Sequence, residues 1–399
     1  MKILVCMLEF PTWELAKPWS YISGYAFVDA LHELGHEVEL NTLMYDFNEQ
    51  ALVKSVHCLA RLGRHYEQAY FWLPHLKYSR AFWDAVEPLC RTRIAVLIES
   101  LQYTSAEIRR LPHPATRRRE VLENLDRCTH VLTFDYGDFR YLEDRGYKAF
   151  WTPGIAPSFP EEICVPFDQK SPLLLAAGTI YRGAREALHR QLIRSALIDE
   201  SERLRHSAEL ISSFEEAASA LVRLSTQDAP PAEEEWNRVA ERIMEVRRKI
   251  WYEYLAYLSR FAGVISLPAF FKGFPGRIFE AILTGGVAFI CNKGHLRRHM
   301  QALPDDVHAF YFGATLRRAD LARIRAIAGD RDFRRDFTRR ARTYILNHFG
   351  AARIMERLVN WVANSPPRPT GQRRGVLMRL LQDLRRRPRY YNETDYEAS

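Results

Sequence analysis

The stretch Phe271–Gly294, FKGFPGRIFEAILTGGVAFICNKG, constrains the fold of this chain more than any other. It follows the strand-like GVISLPAF and reads as a Gly/Pro turn, a short amphipathic helix, a Gly-Gly break and a second apolar strand. That order is a βαβ corner of the kind that binds phosphate. Gly273, Pro275 and Gly276 can bring backbone N–H groups to the start of the helix, where unpaired donors and the macrodipole favour a diphosphate. Glu280 falls one helical turn further on, placed to accept hydrogen bonds from the hydroxyls of a ribose.

A chain of 399 residues is too long for one ordinary core and suits two domains with a cleft between them. The hydrophobic fraction of 47% is that of a globular protein. No apolar run approaches the roughly 20 residues needed to span a bilayer. Met1-Lys2 runs straight into the strand-like ILVCML without the pattern of a secretory signal, so a cytoplasmic location is expected. Cys6, Cys58, Cys90, Cys128, Cys164 and Cys291 are scattered among apolar neighbours and read as reduced packing residues. The histidines lack the HExxH spacing of a helical metal site, and no metal is expected. The net charge of +8 collects at Arg117–Arg119, in Arg331–Arg342 and in the tail Arg368–Arg389. No nucleic-acid-binding motif accompanies these runs, so a nucleic-acid partner is not expected.

The first forty residues alternate as an α/β unit: strand KILVCML, a loop with Pro11 and Pro18, a helix from about Gly24 to Leu34 capped by Gly35, and strand HEVELNT. The pattern repeats through QAYFWLP, a helix Ser79–Cys90, RIAVLIES, a helix near Ala115–Asp126, HVLTF and a helix Asp138–Asp144. It predicts a mainly parallel, doubly wound sheet with ligands at the C-terminal strand edge. Pro153, Gly154, Pro157, Pro160 and Pro166 mark a linker, and SPLLLAAGT opens a second α/β unit. From Ala187 to about Phe261 the period is helical and reads as two long helices, either holding an acceptor or buttressing the domain. A helical stretch from Asp332 through Trp361 stops at Ser365 and the prolines after it. The domains are therefore expected at 1–153, 168–348 with an insertion at about 187–261, and a tail at 365–399. The linker takes 154–167, and the C-terminal helix, about 349–364, returns to the first domain. In the tail, residues 373–389 form an amphipathic basic segment suited to an anionic membrane surface.

Two Rossmann-like halves, a central Pro/Gly linker and GFPGRIFEAILTGGVAFI in the second half together resemble a GT-B glycosyltransferase. The similarity is closest to the group 1 (family 4) enzymes and to the CgeB-like glycosyltransferase family. Further support comes from SGYAFVDALHELGHEVEL, GTIYRGARE and RRARTYILNHFGAARIMERLVNWV. The resemblance covers most of Met1–Ser365 and implies two Rossmann-like domains facing a central cleft. It implies transfer of a sugar from a nucleotide-sugar co-substrate, without a metal or other cofactor, to a hydroxyl of a glycan, lipid-linked or surface-polymer acceptor. Glu280 matches the second of two glutamates that seven residues separate in the family, and Lys272 stands where the first belongs. The nucleotide half of the site looks ordinary and the sugar half does not.

Around that motif, the donor site is expected to use Gly178, Tyr181, Arg182, Lys272, Gly273, Phe274, Pro275, Gly276, Arg277 and Glu280. Arg277 sits in the first helical turn, where a cation is unfavourable unless an anion is bound. Arg185 is a candidate for stabilising the leaving diphosphate, and a helix-capping surface arginine is the plainer alternative. Glu99 and Asp135 close strands at their C-terminal ends, where a base would sit, although N-capping explains them nearly as well. Trp13, Trp19, Tyr21, Gly24 and His75 are the acceptor-side candidates, in loops leaving the first-domain strands. The rival readings are an epimerase of GT-B fold, forming product from the donor alone, and a non-catalytic sugar-nucleotide or polymer-binding scaffold.

Overall fold

The computed structural model describes residues 1–16, 24–44, 63–72, 78, 80–98, 100–101, 114–177, 184–198, 204–227, 232–267, 276–291, 299–313 and 315–367. The first unit runs β1 (Lys2–Glu9), α1 (Trp13–Ala16), α2 (Tyr25–Glu33), β2 (Glu37–Met44), β3 (Gln68–Trp72), α3 (Arg80–Val86), β4 (Arg93–Leu97), α4 (Pro114–Leu125), β5 (His130–Thr133), α5 (Tyr136–Glu143) and β6 (Ala149–Trp151). Its strands are all parallel, in the order β2-β1-β3-β4-β5-β6. The inner strands, buried on both faces, read as continuous apolar runs such as ILVCM and IAVL.

The second unit holds β7 (Ser171–Ala177), α6 (Ala184–Arg194), α7 (Ala208–Thr226), α8 (Glu233–Ser259), β8 (Phe261–Ser266), α9 (Gly276–Leu283), β9 (Val287–Ile290), β10 (Phe310–Tyr311), α10 (Arg318–Gly329), α11 (Arg331–Phe349) and α12 (Ala351–Asn364). The strands again run parallel, in the order β10-β9-β8-β7. Gly263 allows the close approach of β8 to β9: a Cβ there would lie 2.2 Å from the Val287 carbonyl oxygen. Cys6, Cys90, Cys128 and Cys291 are buried thiols in these cores, and burial pushes the last three up to about 12. Among the described residues no helix is long and apolar enough to cross a membrane.

Two features differ from the sequence reading. The segment expected as two long helices contains three. The first, α6, is an ordinary crossover helix, followed by a bridge of Ile198 to Leu174 beside β7. The long pair is α7 and α8. Ser207 starts α7 by accepting from the Leu210 N–H, and the expected turn at Pro230-Pro231 lies outside the described residues. The helical stretch from Asp332 through Trp361 is likewise two helices, broken at Gly350. There the Ala156 N–H donates to Phe349 O at 2.7 Å and the Ala351 N–H donates to Ala156 O at 3.0 Å. The linker and the returning chain thus pair where both pass between the units, and α12 packs its Ile354, Met355 and Leu358 face toward α2.

The insertion makes a third tie. As a helix of 27 residues, α8 is about 40 Å long. Its final turn leads into β8, and its earlier turns lie against α2 and β2 of the first unit. Trp236 Nε1 donates to Leu40 O at 3.4 Å, and Arg248 pairs with Asp29 at 2.6 Å.

Candidate functional site

The corner formed by β8, α9 and β9 lies at the C-terminal edge of the second sheet. Gly276 and Arg277 form the first turn of α9 and are half-buried. Glu280, one turn in, is 1% exposed, and the Trp251 indole N–H of α8 donates to its Oε1 at 2.9 Å. One turn further along α8, Tyr254 lies close enough to feel both charged groups. Burial first and Glu280 second raise its pKa, and Arg277 opposes them. Gly285, at φ +73°, turns the chain out of α9, and Lys170 Nζ donates to Thr284 O at 2.8 Å there. Gly154 of the linker lies against Phe279 so closely that a Cβ would come within 2.4 Å of the ring. The corner is therefore clamped by the linker on one side and by α8 on the other.

On the first unit, the strand order reverses between β1 and β3, so the crevice of that sheet opens at the end of β1. Glu9 closes β1 and is 1% exposed. Arg247 of α8, 5% exposed, donates from Nε to Glu9 Oε2 at 2.9 Å, from Nη2 to Glu9 Oε1, and from Nη1 to Ala16 O at 3.0 Å. Tyr25 Oη and the Phe10 N–H also donate to the same carboxylate, each at 2.9 Å. Burial works against the Arg247 charge, and Glu9 more than offsets it, holding its pKa above the ordinary arginine value. This cluster joins the two units at the place where the first would present a ligand.

The predicted residues fall into three groups. Gly276, Arg277 and Glu280 come together at the start of α9. Asp135, Trp13 and Gly24 are described and belong to the first unit, and Arg185 opens α6 after β7, the strand paired with β8. Asp135 caps α5: its Oδ1 accepts from the Gly137 and Asp138 N–H groups at 2.6 and 3.2 Å, and its Oδ2 accepts from Ser100 Oγ at 2.5 Å. Arg185, in the first turn of α6, is 5% exposed, which rules out the surface position of the plainer alternative. Trp13 was expected to face an acceptor; its ring is instead buried in edge contacts with His206 and Phe214, at 5.2 and 5.8 Å. Gly24 starts α2 against Met7, whose methyl would lie 2.5 Å from a Cβ. Glu99, Trp19, Tyr21, His75, Gly178, Tyr181, Arg182, Lys272, Gly273, Phe274 and Pro275 lie outside the described residues.

Sequence reasoning missed Trp251, Tyr254, Arg247 and Glu9. A signal existed for Arg247. The buried positions Trp236, Ala240, Ile243, Ile250, Trp251, Leu255 and Leu258 form the apolar stripe of α8, and Arg247 falls on that stripe, where a cation requires a buried partner.

No protein-family model matches the chain, and no curated protein does. Solved structures do. An α-glucosyltransferase in complex with UDP and a 13-mer DNA containing an HMU base matches with a TM-score of 0.54, at 9% identity, over 90% of this chain and 99% of that one. The glycosyltransferase of Rickettsia africae is similar at a TM-score of 0.44, with 12% identity over 91% of this chain and 100% of its own. Anabaena HepE in complex with UDP and glucose gives 0.43, with 14% identity over 92% and 100%. With its parallel sheets of six and four strands, the chain has the GT-B fold.

Proposed function

We propose that the protein is a glycosyltransferase that moves a sugar from a nucleotide-diphosphate donor to an acceptor hydroxyl. The observation that carries this reading is the start of α9: Gly276 and Arg277 in its first turn and Glu280 one turn in, at the C-terminal edge of the second sheet of a GT-B fold. The first-turn N–H groups and the Arg277 guanidinium suit a diphosphate, and Glu280 suits the ribose hydroxyls. In the transfer, the acceptor oxygen bonds to the anomeric carbon as the bond from that carbon to the diphosphate breaks. The diphosphate leaves with the electron pair, and the acceptor proton passes to a base. Charge grows on the leaving group, so cationic side chains and helix N–H groups there lower the barrier. The UDP held by the α-glucosyltransferase of the same fold makes UDP sugars the first donors to try. A glycan, lipid-linked or surface-polymer acceptor, with hexosyl transfer as in the group 1 enzymes, is the finer reading.

The test is a panel of nucleotides and nucleotide sugars scored by thermal shift and by slow donor hydrolysis. At least one nucleotide should raise the melting temperature, and Glu280→Ala should weaken its binding by about 1.5–3 kcal/mol, since charge-assisted hydrogen bonds are lost. Absence of any shift across the panel would refute a donor site. Isomerisation of the donor without acceptor would assign an epimerase instead, and binding without turnover a scaffold.

A further inference from the structure

We propose that Trp251 is a positioning residue of the donor site, holding Glu280 from the helical insertion. This rests on the reading of Glu280 as a ribose ligand. A buried carboxylate has several rotamers and must be fixed by a donor if it is to meet a ligand in one orientation. Nearly all of α9 after its first turn is buried and apolar. From α8, the Trp251 indole donates to Glu280 one hydrogen bond in a fixed direction, at 2.9 Å. The indole is itself fixed. It is buried, meets Phe159 of the linker edge-on at 6.0 Å, and stands one turn from Arg247 on the same face of α8.

Arg247 is locked to Glu9 and Ala16 of the first unit. Successive turns of one helix therefore hold a carboxylate of each unit. The carboxylate assigned to the donor is oriented by a helix whose own position is set by the acceptor-side unit. Tyr254, a further turn on, adds a phenol beside Glu280 and Arg277.

The experiment is a double-mutant cycle on the full chain, reading UDP affinity by calorimetry, or the affinity of whichever nucleotide gives a thermal shift. Trp251→Phe keeps an aromatic ring and removes the N–H. It should weaken binding about five- to tenfold in the wild-type background, the net worth of one ordinary hydrogen bond. In the Glu280→Ala background it should change affinity less than twofold, because its route of action is gone. Equal losses in both backgrounds would overturn the proposal and leave the donor site standing. An unchanged affinity for Glu280→Ala alone would remove the reading of the site and this inference with it. Should Trp251→Phe not fold, the indole N–H resonances of tryptophan-labelled wild-type protein serve instead. One resonance should be displaced by Glu280→Gln and should move on nucleotide saturation, and a resonance that Glu280→Gln displaces but nucleotide leaves in place would overturn the proposal.

Discussion

Replacing Arg247 with methionine tests how the two units are held together. The guanidinium makes two hydrogen bonds to Glu9 and one to Ala16 O, and its carbon Cζ lies 4.8 Å above the centre of the Phe214 ring. Arg247→Met keeps the length of the side chain and leaves the Glu9 carboxylate buried without a counter-charge. Breaking a buried pair from one side costs about 3–5 kcal/mol, chiefly through the charge left behind. The double variant Glu9→Met with Arg247→Met removes both charges and should recover most of that loss. The exposed pair Arg242–Glu245, also on α8, is the control: Arg242→Ala should cost no more than about 1 kcal/mol. Urea denaturation followed by circular dichroism gives these differences. Small-angle scattering of Arg247→Met should show a larger radius of gyration, because the pair crosses between the units. A loss under about 1 kcal/mol, or a double variant no more stable than the single one, would refute the reasoning.

Lys170 donates to Ser259 O at 2.5 Å and to Thr284 O at 2.8 Å, tying together the ends of α8 and α9. Burial lowers its pKa from 10.5 to about 8, with Cys164 opposing and Arg334 adding to the shift. Between these values the unfolded chain binds the proton and the folded chain does not, so stability should rise with pH from about 8 to 10 relative to Lys170→Met. Parallel melting curves for the two proteins across that window would contradict it. Arg334 is 4% exposed, rests over the Phe167 ring at 5.4 Å, and finds no hydrogen-bond partner for Nε or Nη1 among the described residues. Arg334→Met should stabilise the fold by about 1–2 kcal/mol, because it relieves buried unpaired donors and retains the apolar stem. A lowered urea midpoint would show that the guanidinium is stabilising after all.

The two parallel sheets were legible because their inner strands are buried on both faces and so carry apolar runs that periodicity detects. The corner at α9 was legible through glycine and proline at a helix start. A helix start followed from local capping chemistry at Asp135, whereas the one at Ser207 was missed despite its cap, and the break at Gly350 was missed where tertiary packing decides. The place of Arg247 on the apolar stripe of α8 calls for a buried partner, but nothing local names Glu9, 238 residues away, and a glutamate closing a strand reads as cleft-facing until the chain brings the two together. The basic runs are no better a guide. Within the basic run Arg331–Arg342, Arg331 and Arg335 pair with Asp168, Arg339 with Asp336 and Arg342 with Glu161. Much of that charge is neutralised by the linker and by the helix itself, and it says little about a polyanionic partner.

These contacts also bear on how the cleft can work. Two Rossmann-like units joined by a linker imply a hinge, and closure of such a hinge would exclude water from the transfer. Here the units are tied at the linker, at the α11–α12 junction beside it, and through α8. The first two ties lie side by side at Ala156 and Gly350 and are compatible with rotation about that point. The third is not, because opening the units would pull Arg247 from Glu9, Arg248 from Asp29 and Trp236 from Leu40. Opening would return both charges of the Arg247 pair to water, so the pair holds the units by less than the single-variant cost, and the Arg248 and Trp236 contacts would have to break with it. The larger radius expected for Arg247→Met is what separates this arrangement from an ordinary two-domain hinge, since a chain already opening freely would not expand further when the contact is removed.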